Sequence, residues 1–224
     1  MISGNDELSE RFLRYVELGE IDDVISMIEE GIDVNTEALW SHQTALMIAS
    51  EKGYLRIVQL LIDSGADINH QDIDGRTALM ISSGKGYLPI VQLLLDSGAD
   101  INLQNKYGNT ALMYAIKHSI ILRLLLKNGA NPLIKEKYYG ETAYDESVKL
   151  FGHDEDSELL KYYMIMYPMI YKMQRKSRRN LTYKKKKTEL AHKNLALSKL
   201  IDAYDVDEPL TREMRSENIR SIFG

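Results

Sequence analysis

The side chains best equipped for chemistry are thinly spread in this sequence. Its five histidines are His42, His70, His118, His153 and His192, and no two stand four apart as ligands on one helix face would. There is no cysteine, so a disulfide scaffold, a thiolate metal site and a cysteine nucleophile are all excluded. No Walker-type phosphate loop and no nucleophile elbow is present. Carboxylates recur instead. Asp67 and Asp100 hold the same place in two similar segments, and Asp63-Ser64-Gly65 has its own later copy. A group repeated at a fixed period serves turns and helix ends, because an acid/base site needs one unique geometry. No enzymatic activity, cofactor or metal is therefore expected.

Binding is the chemistry left. The stretch KMQRKSRRNLTYKKKK, residues 172–187, holds nine cations: Lys172, Arg175, Lys176, Arg178, Arg179, Lys184, Lys185, Lys186 and Lys187. It contains no acid, and Tyr183 is interleaved. Such a run suits a phosphate backbone, an import receptor reading it as a nuclear-localisation signal, or anionic lipid. A solvated arm that offsets the rest of the chain is the plainer reading. The net charge of -5 hides a division: residues 1–160 carry 13 Lys+Arg against 26 Asp+Glu, and residues 161–224 carry 15 against 7. This asymmetry predicts an acidic domain over 1–160 and a basic extension over 161–224, with the arm free of the acidic part.

What must position any binding group is a repeat. TALMIASEKGYLRIVQLLIDSGADIN begins at Thr44, TALMISSGKGYLPIVQLLLDSGADIN at Thr77, and TALMYAIKHSIILRLLLKNGAN at Thr110, each 33 residues after the last. Thr142 follows 32 later, and LGEIDDVISMIEEGIDVN is an upstream copy, giving about five units with degenerate ends. Each unit reads as two short helices. Threonine caps the first, and Gly53 or Gly86 stops it. The second carries an apolar stripe of Ile57, Val58, Leu60 and Leu61, with Leu60 and Leu93 expected at the interfaces between units. One pair cannot bury that stripe, so neighbours must stack.

These residues resemble ankyrin repeats over about 5–150, with Thr44-Ala45-Leu46-Met47-Ile48-Ala49 in place of the family's T-P-L-H-x-A. The resemblance implies an all-α solenoid of helix-turn-helix units with a helical C-terminal extension. It also implies a non-enzymatic protein-interaction module, an adaptor or scaffold, that binds along a concave face and its loop tips. By that resemblance the partner-binding positions are Trp40, Ser41, Gln43, Glu51 and Lys52, then Ile73, Asp74, Arg76 and Lys85, then Lys106, Tyr107, Asn109 and His118. Trp40 can equally serve as a lid on the first units. A nucleic-acid-associated adaptor using the arm, and an inhibitor masking a basic partner, are the alternatives. Methionine (Met47, Met80, Met113) stands where the family has histidine, and the fourth unit is two residues short between Ala115 and Gly129.

The remaining segments carry weaker expectations. Tyr162–Tyr171 is rich in Tyr and Met and is expected to close the open end of the array, with Pro168 breaking any helix through it. Residues 188–205 and the C-terminal LTREMRSENIRSIFG can form amphipathic helices that pack back or bind a partner. The start MISGNDELSERF lacks a signal peptide's n- and h-regions, and no apolar run approaches the ~20 residues of a membrane span. An intracellular protein, cytoplasmic or nuclear and monomeric, is expected. Its richness in Lys, Ile, Asn and Tyr fits an AT-rich genome, as of the large DNA viruses and intracellular bacteria where such repeats recur.

Overall fold

The computed structural model describes the backbone of residues 4–179 and the side chains of residues 7–168. Over them run α1 (Gly4–Leu18), α2 (Ile21–Glu29), α3 (Ala45–Lys52), α4 (Leu55–Asp63), α5 (Ala78–Lys85), α6 (Leu88–Asp96), α7 (Ala111–Tyr114), α8 (Ser119–Lys127), α9 (Ala143–Phe151) and α10 (Glu155–Arg179). They form five consecutive pairs. The first helices pack in one row, α1 to α3 to α5 to α7 to α9, and the second helices α2, α4, α6 and α8 in another. In α10, Leu160 and Tyr163 join the same core, and Asp156 binds Arg123 of α8 at 3.2 Å. A single isolated bridge, Glu37 to Thr44, is the only β pairing among the described residues. This unit ends at Met169.

The core follows from the stripe on each second helix. Ile57, Val58 and Leu61, and their copies Ile90, Val91 and Leu94, are essentially inaccessible to solvent. Leu60 and Leu93, expected at the interfaces, are only half-buried against this core. Each residue turns the helix by about 100°, so a contact centred on positions 57, 58 and 61 leaves 60 at its edge.

Glycine ends the first helices for a reason the spacing did not reveal. Gly53 and Gly86 adopt φ of 80° and 82°, a conformation that costs an L-residue about 1–2 kcal/mol. Space matters as well. A Cβ on Gly53 would stand 2.9 Å from the ring of Tyr87, and one on Gly86 would stand 2.7 Å from the ring of His118. The ring of Tyr54 lies over Gly19 in the same way. A ring from each of the second, third and fourth units therefore rests on the helix-ending glycine of the unit before it.

The two-residue deletion falls where expected. It shortens α7 to Ala111–Tyr114 and puts His118 just before α8, in the place of Tyr54 and Tyr87.

The recurrent polar residues are turn hardware. Asp33, Asp67 and Asp100 each accept a hydrogen bond from the backbone two residues on, at 2.9–3.0 Å. Asn35, Asn69 and Asn102 each accept the backbone N–H of the next unit at 2.7 Å. The methionines in the family's histidine place are buried, and Thr44 Oγ1 beside Met47 is buried without a hydrogen-bond partner. The last unit has Asp145 at that position instead. It forms a capping box with Thr142, and the backbone hydrogen bond of Thr142 holds its carboxyl below the ordinary range, against the desolvation of partial burial.

Pro168 does not break the final helix, which runs through it to Arg179. The residue is exposed, so the carbonyl deprived of its N–H partner can turn to water instead of being orphaned in the core.

Candidate binding face

Between the units, four loops project as fingers: residues 32–44, 65–77, 98–110 and 129–142. Each is tied to the next by one backbone hydrogen bond at its tip. Ile73 N–H donates to Ser41 O at 3.0 Å, Lys106 to Asp74 at 2.9 Å and Lys137 to Tyr107 at 2.8 Å. The tips need a left-handed residue, supplied by Gly75, Gly108 and Gly140, and in the first finger by His42 at φ 54°. In the last three fingers a side chain at the base clasps the tip. Asp72 accepts from the N–H groups of Asp74 and Arg76, Asn105 from those of Tyr107 and Asn109, and Glu136 from those of Tyr138, Tyr139 and Glu141. These backbone bonds outweigh desolvation and hold Glu136 below the usual carboxylate range.

The first finger stands across from α1 and bounds a groove of about 1090 Å³. Five sequence-expected positions come together there: Trp40, Ser41 and Gln43 from the finger, and Glu51 and Lys52 from the end of α3. The opposite wall is α1, with Glu10, Arg11, Arg14 and Glu17, which the repeat reading did not single out. Trp40 is 88% exposed and Leu39 beside it 59%, so Trp40 is not a lid on the first units. The groove floor is laced by ion pairs between successive first helices, Lys52 to Glu17 and Lys85 to Glu51, each at 3.2 Å. Lys85 therefore continues the floor beyond the groove.

The other expected positions divide. Ile73, Lys106 and Tyr107 are exposed at finger tips. Asp74 is half-exposed at the second tip, and Asn109 lends its backbone to the third. Arg76 is held to the buried carboxylate of Asp72, Nη2 to Oδ2 at 2.7 Å. Burial works against its charge, but the Asp72 contact prevails and raises its pKa further. His118 is withdrawn from the face: its ring covers Gly86, and its Nε2 lies 3.1 Å from Gly84 O.

The sequence reading also missed a finger. Tyr138 and Tyr139 are 72% and 83% exposed at the fourth tip. Tyr138 stands four residues before Thr142, as Trp40 does before Thr44, and Tyr139 three, as Tyr107 does before Thr110, so the register could have found them. Of the basic run, Lys172, Arg175, Lys176, Arg178 and Arg179 fall on α10, whose side chains are described only to residue 168. Lys184, Lys185, Lys186 and Lys187 lie outside the described residues, as do the amphipathic stretches after them.

No described helix is long and apolar enough to cross a membrane. Among known families, the description "Ankyrin repeats (3 copies)" fits residues 13–105, 46–136 and 90–165. No curated protein matches the chain. Threonine stands before four of the first helices, but its side chain caps only at Thr77 and Thr142, not at Thr44 or Thr110. With five stacked helix pairs and a family match covering 13–165, this chain belongs to the ankyrin repeat proteins.

Proposed function

We propose that this protein is a non-enzymatic adaptor or scaffold that takes a protein partner in the groove between α1, the end of α3 and the first finger. The exposure of Trp40 carries the reading. A tryptophan and a leucine held in water beside a concave, mixed-charge wall form the kind of patch that marks an interaction site, and tryptophan is the residue most enriched at binding hot spots. Membership of a family whose repeats are generally protein-interaction modules supports a protein as the partner. The groove's ion pairs fix Glu51 and Lys52, so the surface is preorganised and its ordering costs little on binding.

The test is capture of a partner from lysate, followed by its affinity for the purified full chain. Trp40→Ala should weaken that affinity at least tenfold while the helical circular-dichroism signal and melting temperature stay put. Unchanged affinity would place the partner elsewhere.

A further inference from the structure

The third and fourth fingers differ in chemistry from the groove, and the difference points to a second kind of ligand. Their tips carry Lys106, Tyr107, Lys135, Lys137, Tyr138 and Tyr139, all exposed. The rings of Tyr107 and Tyr138 lie 6.0 Å apart between centroids, tilted by 30°. Among the described residues none of the three lysines forms an ion pair, although Lys135 feels the charge of Asp145 at longer range. The nearby acids are otherwise engaged: Glu136 on the finger's own amides, Glu141 on Lys149, and Asp145 on the cap of α9. Lys137 Nζ donates to Lys106 O at 3.0 Å, and Lys149 Nζ lies 5.7 Å from the centroid of the Tyr139 ring. The tips thus set exposed rings and cations side by side, with the carboxylate of Glu136, its pKa held low, charged between Lys135 and Lys137.

We propose that these two tips form a stacking platform for single-stranded nucleic acid, a function beyond the protein-binding groove and independent of it. Single strands are held without sequence preference by aromatic faces under the bases and cations along the phosphates. An acidic peptide fits less well. Bidentate carboxylate recognition uses arginine or free amides, but all three tip cations are lysines. The tip amides are occupied as well: Lys106 N–H bonds Asp74 O and Lys137 N–H bonds Tyr107 O, Tyr107 N–H bonds Asn105, and Tyr138 and Tyr139 N–H bond Glu136.

Residues 172–187 would bind any polyanion by charge alone, so the experiment uses the full chain with those nine cations replaced by glutamine. The probe is a fluorescent twelve-nucleotide oligouridylate, read by anisotropy, beside an oligoglutamate peptide of equal charge. The arm-neutral chain should bind the RNA, and Tyr107→Ala/Tyr138→Ala/Tyr139→Ala should weaken it at least tenfold. The three Tyr→Phe changes should retain binding, because stacking needs the ring and not the hydroxyl. Lys106→Gln/Lys135→Gln/Lys137→Gln should reduce the slope of log affinity against log salt by about 2, at ~0.7 per phosphate contact on single strands. No RNA binding by the arm-neutral chain would overturn the proposal. So would alanine variants, folded by circular dichroism, that bind like their parent, or oligoglutamate bound as tightly as RNA.

Discussion

The second and third units are nearly the same sequence, and the fourth and fifth depart from it; the contrast shows which features of a unit are exchangeable. In α3 and α5 the first helix runs eight residues to a left-handed glycine, and a ring from the following unit sits on that glycine. In the fourth unit the helix has four residues, yet the ring position survives because the deletion moves His118 into it. Helix length could change; the contact between one unit and the next could not, because no unit buries its stripe alone. The fingers differ more freely. The first two tips carry Trp40, Ile73 and Asp74, and the last two carry tyrosine and lysine. Tip side chains point into solvent while the backbone ladder below them is constant, so their chemistry can drift without unfolding the stack.

The comparison breaks first at the stripe. Leu61→Ala and Leu94→Ala should each cost about 2–5 kcal/mol, the range for emptying a well-packed leucine site. Leu60→Ala and Leu93→Ala should cost clearly less, and urea denaturation would order the four. Equal losses at Leu60 and Leu61 would contradict the burial pattern.

The ring-on-glycine contact comes next. Gly65 and Gly86 share a left-handed φ, but a Cβ on Gly65 meets nothing within 4 Å, whereas one on Gly86 meets His118. Gly65→Ala should cost about 1–2 kcal/mol from backbone strain alone, and Gly86→Ala more. Adding His118→Ala should recover part of the excess. A double-mutant cycle measures this, and a coupling near zero would show that the ring yields freely.

Capping should separate the two ends by about 1 kcal/mol. Thr142→Ala removes a capping box and should cost that much, within the ~0.5–2 kcal/mol seen for N-caps. Thr44→Ala removes a hydroxyl that has no partner and should be close to neutral. Thermal melts of the two variants give the answer.

The smallest effect is in pH. Asp145 and Glu136 have depressed folded values, so they stabilise the fold above their unfolded pKa of about 4. That contribution is lost as pH falls through the folded values. Glu146 runs the other way: burial, then Glu141 and Glu136, raise its pKa. Its charge therefore opposes folding at neutral pH, and protonation relieves the cost as pH falls toward its unfolded value. Asp145→Asn should flatten the decline in melting temperature below pH 4, and Glu146→Gln should raise the melting temperature slightly at pH 7. The reverse signs would mean that these carboxylates sit in other surroundings.

Much of this could be read directly. The period of 33, the threonines that precede the first helices and the glycines fix helix pairs and their stacking, because each signal is local or repeats along the chain, although only Thr77 and Thr142 cap with the side chain. Turn chemistry was legible for the same reason: Asp67 and Asp100 bond within two residues of themselves. Tertiary structure alone decided the rest. Leu61 rather than Leu60 faces the neighbouring unit because the crossing of two helices selects part of a wide apolar stripe. Helix α1 became a groove wall because the first finger and the end of α3 pack beside it, a fact of stacking that no residue type announces. Arg76 was tied down by Asp72, and His118 was seated on Gly86. The first is a charge meeting a buried carboxylate four residues away. The second is a ring filling the space that a glycine 32 residues earlier leaves open.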